Sequence, residues 1–282
     1  MKKGIPILTM LIASSLILSA YDSQTHDTSA SSEVSGTENS LEAENNGVPS
    51  DTEKDTNRFP ASLTSIPDSY LTEAEQQGTL QDLYYNTYES FSYNEKSQRL
   101  QKHAVVYLPY GYNESKQYPV FYLMHGGWSN EYTYLGSPDE PHGMKHILDH
   151  GIANGEIQPM IVVCPTYNNT SPEDSGDYSL ALRLTDNYHN ELINDLIPAV
   201  EGKYSTYAED TTPEAIAASG TNDFAYSGFK NGIDAMRESD SGLFRFADNE
   251  AEGNLYYLES DGDHSGYYAM LYFYNGLCWI WR

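Results

Sequence analysis

Basic residues are scarce in this sequence of 282 residues. Lys and Arg total 15 against 41 Asp and Glu, which gives a formal net charge of −26 at pH 7. Phosphate binding requires a basic surface, so the composition argues against nucleic acid and, for the same reason, against anionic membranes. A neutral polysaccharide or a small ester would not be repelled. The 25 tyrosines are typical of sugar-facing surfaces, but for most of them we favour ordinary half-buried positions.

Cysteines and metal-binding patterns are almost absent. Of the two cysteines, Cys164 ends an apolar run and is predicted to pack as a small hydrophobic residue. Export would also permit a disulfide between Cys164 and Cys278, and the sequence does not decide between the two alternatives. The sequence has neither a C-x-x-C pair nor an H-E-x-x-H motif. We therefore predict no metal ion and no cofactor.

The N-terminus has the pattern of an export signal. Two lysines precede an apolar stretch at residues 5–18, and small residues follow it. This pattern predicts a bacterial secretory signal over residues 1–20, too short for a membrane span. The tripeptide Leu18-Ser19-Ala20 is similar to the start of a lipoprotein box, but Tyr21 stands where the lipid-bearing cysteine would be. We therefore expect a secreted or cell-surface protein without a stable membrane anchor.

The rest of the chain divides into a linker and one folded domain. Residues 21–57 are rich in Ser, Thr, Asn, Asp and Glu, with few large apolar side chains, so this segment is predicted to be a disordered acidic linker. Residues 58–282 alternate predicted strands with predicted helices, which favours an α/β fold with a doubly wound, mostly parallel sheet. The predicted strands are Leu80–Tyr88, His103–Leu108, Tyr118–Met124, Met160–Cys164, Ala215–Ala218 and Asn254–Leu258. The helical stripes are Met144–Ile152, Leu192–Val200, kinked at Pro198, and Phe229–Met236.

Three motifs suggest a serine-hydrolase site. An apolar strand runs into His125-Gly126-Gly127, a turn reads Gly220-Thr221-Asn222-Asp223, and His264 follows a Gly-Asp pair. An acid followed by a histidine is the order in which an α/β-hydrolase completes its triad. Asp223 could instead simply tighten a turn, and His264 could be a loop histidine bonded to nearby backbone.

The serine motif that should precede this acid is missing. No G-x-S-x-G sequence occurs anywhere in the chain. A βαβ unit carrying a nucleophile elbow takes roughly 30 residues or more, yet only 18 residues separate Tyr204 from Asp223. Ser219, Ser227 and Ser265 lack the flanking glycines of an elbow, so we favour solvated loop positions for all three over a replacement nucleophile.

The chain resembles the esterase D-like proteins of carbohydrate esterase family 1, especially the feruloyl-esterase-like modules of bacterial xylan degraders. The resemblance covers about residues 65–282. The stretches that carry it are residues 106–112, 122–127, 160–165, 220–223 and 262–264.

The resemblance implies roles for the motifs. Asp223 matches the triad acid, His264 matches the triad base, and the loop of Gly126, Gly127 and Trp128 matches the region that supplies one oxyanion N–H. His125 is expected to be a structural loop residue. Members of the family carry the serine elbow before the Gly-Thr-Asn-Asp turn, so this chain looks internally truncated near residues 219–220. The second oxyanion donor would be lost with that segment.

Three interpretations follow. The first is an exported carboxylic-ester hydrolase by descent, for feruloyl or acetyl esters of plant xylan, that is inactive or strongly impaired. The second is a non-catalytic secreted carbohydrate-binding or interaction protein that retains the esterase scaffold. The third is a deletion product that does not fold stably, because a missing central strand exposes strand edges. The expected partner is a plant cell-wall polysaccharide or a small aryl or acyl ester.

Overall fold

The computed structural model describes residues 7–8, 59–207, 213–224, 226–238, 245–249 and 251–279. Apart from Ile7–Leu8, the predicted export signal and acidic linker lie outside these residues. Within the ranges given, none of the helices combines the length and apolar character needed to cross a membrane.

The described residues form seven strands and five α-helices. The strands are β1 (Ile7–Leu8), β2 (Thr79–Tyr88), β3 (Arg99–Leu108), β4 (Val120–Tyr122), β5 (Ile161–Cys164), β6 (Pro213–Gly220) and β7 (Leu255–Ser260). The helices are α1 (Gly143–Ala153), α2 (Tyr178–Glu191), α3 (Ile197–Glu201), α4 (Tyr226–Glu238) and α5 (Gly266–Trp279). Short 3-10 turns occupy Asp68–Leu71, Ser90–Ser92 and Asp174–Gly176, and a π-helical turn, Leu192–Leu196, joins α2 to α3. Pro198 lies in the first turn of α3, directly after the π-helical turn, where proline is tolerated; the predicted kink there stays a prediction.

The strands form two sheets. The four-stranded sheet has the order β2-β3-β5-β4, in which β2, β3 and β5 pair antiparallel and β5 and β4 pair parallel. The three-stranded sheet has the order β1-β6-β7 and is parallel. The α/β class is confirmed, with a mixed arrangement in which three of the five pairings between the described strands are parallel.

The two sheets approach each other through their edge strands β4 and β1. Ile7–Leu8 of β1 pairs in parallel with Pro213–Glu214 at the start of β6 and also contacts β4. The described strands therefore do not form one continuous hydrogen-bonded sheet.

The core lies on both faces of the four-stranded sheet because successive strand side chains point to opposite faces. Val105 and Tyr107 of β3 belong to the apolar cluster that includes α1 and α5. Val106 belongs to the opposite cluster, with residues of the π-helical turn and α3. Cys164 packs in the first cluster as the predicted small hydrophobic residue, and it is a thiol, so no Cys164–Cys278 disulfide forms.

Candidate active site

Asp223 and His264 are hydrogen-bonded to each other. Nδ1 of His264 lies 2.9 Å from Oδ2 and 3.0 Å from Oδ1 of the Asp223 carboxylate, and both side chains are largely buried. Asp223 follows β6 and His264 follows β7. Because these strands are neighbours and parallel, their carboxyl ends lie at one edge of the sheet. The sheet thus brings the predicted acid and base together, although their catalytic roles stay a prediction.

Two glycines let the acid and base loops meet. The backbone N–H of Thr221 donates to the carbonyl of Ser260 (2.7 Å), and the N–H of Asn222 donates to the carbonyl of Gly262 (3.0 Å). A Cβ atom added at Gly220 would overlap the backbone of Gly262. The close approach of the loops therefore requires glycine at position 220, which explains the first residue of the Gly-Thr-Asn-Asp turn.

An exposed aromatic residue lies against the histidine. The ring centroid of Phe224 is 4.3 Å from that of His264, and the Phe224 side chain is exposed. Such a ring offers an apolar contact to a ligand that reaches the imidazole. Sequence analysis missed Phe224, and its place directly after the predicted acid is the signal that could have found it.

The three serines considered as replacement nucleophiles lie in or directly beside regular secondary structure. Ser219 lies in β6 and Ser227 in the first turn of α4, so the expectation that they lie in loops is wrong for both. Ser265 precedes α5, where its Oγ accepts a long hydrogen bond from the Tyr268 N–H (3.5 Å). Such a side chain satisfies one of the unpaired amides at a helix start.

His125 is a structural residue of the loop after β4, as expected from the sequence. It is buried and stacks on Tyr167 with ring centroids 4.4 Å apart. Its Nδ1–H donates to the carbonyl of Gly126 (2.6 Å), so its Nε2 accepts from the Thr166 hydroxyl (2.7 Å). The Tyr167 hydroxyl donates to the same Gly126 carbonyl (2.9 Å).

These bonds set the direction of the next amide. In a trans peptide the C=O of Gly126 and the N–H of Gly127 point in opposite directions. The Gly126 carbonyl faces His125 and Tyr167, so the Gly127 N–H points away from them and is the candidate oxyanion donor. The Trp128 N–H donates to the carbonyl of Ser175 (2.9 Å) and is therefore already engaged. Among the three predicted loop residues, the Trp128 amide is thus excluded as an oxyanion donor.

The environment of His125 predicts a pH-dependent stability. Burial lowers the pKa of His125 to about 4, against a smaller opposing effect of its bond to Gly126. The unfolded chain binds this proton near pH 6.5, so the stabilisation is complete above that pH and is lost as pH falls towards 4. Between pH 7 and pH 4.5, the free energy of unfolding of the wild-type protein should therefore fall by about 2–3 kcal/mol more than that of the His125→Gln variant.

Urea denaturation of both proteins at the two pH values measures this difference. His103 has a raised pKa, and therefore an opposite pH dependence, but it is present in both proteins and cancels. The same loss of stability in both proteins would show that His125 is not held neutral.

Comparisons with known proteins relate this chain to esterases. Residues 97–220 match the family model described as a putative esterase. Endo-1,4-beta-xylanase Y of Acetivibrio thermocellus is 42% identical over 154 residues, which are 54% of this chain and 12% of the relative. An endo-1,4-beta-xylanase/feruloyl esterase of Xylanibacter ruminicola is 35% identical over 111 residues, 38% of this chain and 14% of the relative. The matched regions are therefore small parts of these relatives.

Solved structures give the same relationship. A serine-to-alanine mutant of the feruloyl esterase module from Clostridium thermocellum, complexed with sinapinate, is 26% identical, with a TM-score of 0.60 over 80% of this chain and 96% of that one. A carbohydrate esterase family 1 ferulic acid esterase from Anaeromyces mucronatus shares the fold at 20% identity, with a TM-score of 0.54 over 77% and 97% of the two chains.

The protein is thus an α/β-hydrolase by fold. Within that class, the chain is similar to the feruloyl-esterase-like group of carbohydrate esterase family 1.

Proposed function

We propose that this chain is an exported, esterase-derived protein for feruloyl or acetyl esters of plant xylan, with hydrolysis abolished or strongly impaired. The observation that carries the proposal is the Asp223–His264 hydrogen bond in a chain that has no G-x-S-x-G sequence. The proposal includes an export signal at residues 1–20, a linker at 21–57 and an esterase-like domain at 58–282.

The chemistry explains the proposed loss of rate. In a complete triad a serine attacks the ester carbonyl, a histidine takes the serine proton and returns it to the leaving alcohol, and an aspartate orients the histidine. Here His264 and Asp223 have the geometry for the last two roles, and Gly127 offers one N–H. Nucleophile and base act as a unit, so the remaining pair cannot replace the serine. A lost oxyanion donor costs about 3 kcal/mol more.

Labelling with a fluorophosphonate probe tests this proposal. We expect the purified, cooperatively folding protein to show no serine adduct by mass spectrometry, and methyl ferulate hydrolysis to be the same in the His264→Ala variant. A single labelled serine, together with turnover that is lost in His264→Ala, would establish an active esterase and overturn the proposed impairment.

The second candidate is a non-catalytic carbohydrate-binding protein on the esterase scaffold. Two exposed aromatic side chains favour it, Phe224 against His264 and Trp128 in the loop after β4. This function requires retention on insoluble xylan that His264→Ala leaves unchanged. Absence of retention on every plant polysaccharide tested would exclude it.

A further inference from the structure

Three rings form a row on the face of the β2–β3 hairpin. Tyr84 of β2 lies 4.9 Å from His103 of β3, and His103 lies 5.3 Å from Tyr132 in the loop after β4, measured between ring centroids. Tyr84 is 62% exposed and Tyr132 is 37% exposed. We call these three residues the aromatic row. The two exposed tyrosines, each in contact with His103, present apolar ring surface together with polar hydroxyl groups.

Two carboxylates hold the middle ring in place. The Nε2 atom of His103 lies 2.8 Å from Oδ1 of Asp82, and its Nδ1 atom lies 3.0 Å from Oε1 of Glu131. Both ring nitrogens are therefore engaged, which fixes the imidazole between the tyrosines. A carboxylate only accepts hydrogen bonds and has several lone-pair sites, so each can still accept hydroxyl donors from a ligand.

The aromatic row is continuous in sequence with the candidate active site. The loop that carries Gly127 continues through Trp128 and Glu131 to Tyr132. Trp128 has a φ of +51°, a left-handed conformation that is unfavourable for a non-glycine residue. Its indole ring is nevertheless exposed. Strain held at a bulky, exposed residue supports a role in ligand contact rather than in core packing.

We propose that the aromatic row, together with Asp82 and Glu131, binds the pyranose units of a neutral plant polysaccharide. Pyranose rings offer C–H faces to the tyrosine rings, and their hydroxyl groups donate to the two carboxylates. The net charge of −26 and the two carboxylates disfavour an acidic ligand. This inference rests on the proposed association with plant xylan, and it uses neither residue of the Asp223–His264 pair.

Titration of xylohexaose into the full chain by calorimetry tests the inference. We expect the double variant Tyr84→Ala/Tyr132→Ala to bind at least tenfold more weakly than the wild-type protein. The matched control is Tyr110→Ala, because Tyr110 is 58% exposed and lies beyond the end of β3, outside the aromatic row. Tyr84→Phe/Tyr132→Phe keeps both rings and should retain most of the affinity. Thermal unfolding of each variant checks that folding is intact.

Binding of a second ligand, methyl ferulate, distinguishes failure of the aromatic-row site from failure of the proposed function. Methyl ferulate binding is followed by the NMR signals of the His264 imidazole. Xylohexaose binding that survives the loss of both tyrosine rings overturns the aromatic-row site. Absence of xylohexaose binding to the wild-type protein also overturns it, and methyl ferulate binding then leaves the proposed function standing. If neither ligand binds, both proposals fail.

Discussion

Inserting the strand–elbow–helix–strand segment of a complete family member between Ser219 and Gly220 should raise ester hydrolysis by at least about 10³-fold. Removing the serine or the histidine of a triad costs about 10⁶ in kcat, so restoring the serine offers a large gain even in an imperfect graft. The existing Asp223–His264 pair would supply the base and its orienting acid. The inserted segment would also bring the second oxyanion donor.

The measurements are the rate of methyl ferulate hydrolysis and fluorophosphonate labelling of the inserted serine. The control is the same insertion with the elbow serine replaced by alanine, which should fold equally well and stay at the uninserted rate. A second control carries His264→Ala in the inserted protein. If the inserted protein folds and its serine is not labelled, then the Asp223–His264 pair is no longer positioned for catalysis.

The pairing of Asp223 with His264 could be predicted because short motifs mark both residues. Each follows a predicted strand in a glycine-containing turn, and Gly220 and Gly262 have a geometric reason to be glycine. The order of strands and helices could likewise be predicted from apolar runs and stripes. The mixed sheet could not, because the pairing directions of β2, β3 and β5 depend on contacts between distant segments.

The contacts of the loop after β4 could not be predicted from the sequence either. His125 is bonded to Thr166 and stacked on Tyr167, residues about 40 positions later in the chain. No pattern in the residues around His125 predicts such a distant contact. The aromatic row has the same origin, because antiparallel pairing places Tyr84 opposite His103 and only the fold brings Tyr132 beside them.

Two Lys–Asp pairs show most directly that spacing in the sequence does not determine burial. Lys145–Asp149 in α1 and Lys230–Asp234 in α4 have the same i,i+4 spacing, and the nitrogen–oxygen distances are 2.7 and 2.6 Å. Their side chains differ in exposure: 4% and 0% for the first pair, 28% and 43% for the second. Equal spacing in sequence therefore corresponds to very different electrostatic environments.

The change Asp149→Ala should lower the free energy of unfolding by about 3–5 kcal/mol, because it leaves a buried charge without its partner. Asp149 accepts hydrogen bonds from the Gly78 N–H (2.7 Å) and the Tyr107 hydroxyl (2.9 Å), in addition to pairing with Lys145. Removing the carboxylate leaves both donors unpaired inside the protein, and the Lys145 ammonium keeps only its bond to Gln77 (2.7 Å).

Urea denaturation at pH 7 measures this loss, and Asp234→Ala is the matched control. The exposed Lys230–Asp234 pair is screened by water, so breaking it should cost no more than about 0.5 kcal/mol. A double variant, Lys145→Met/Asp149→Leu, removes both buried charges and should recover part of the stability lost in Asp149→Ala. Equal effects of Asp149→Ala and Asp234→Ala would mean that water reaches the α1 pair. The burial of the Lys145–Asp149 pair between α1 and the sheet would then be wrong. This burial is the reason that two Lys–Asp pairs with the same spacing should contribute differently to the free energy of unfolding.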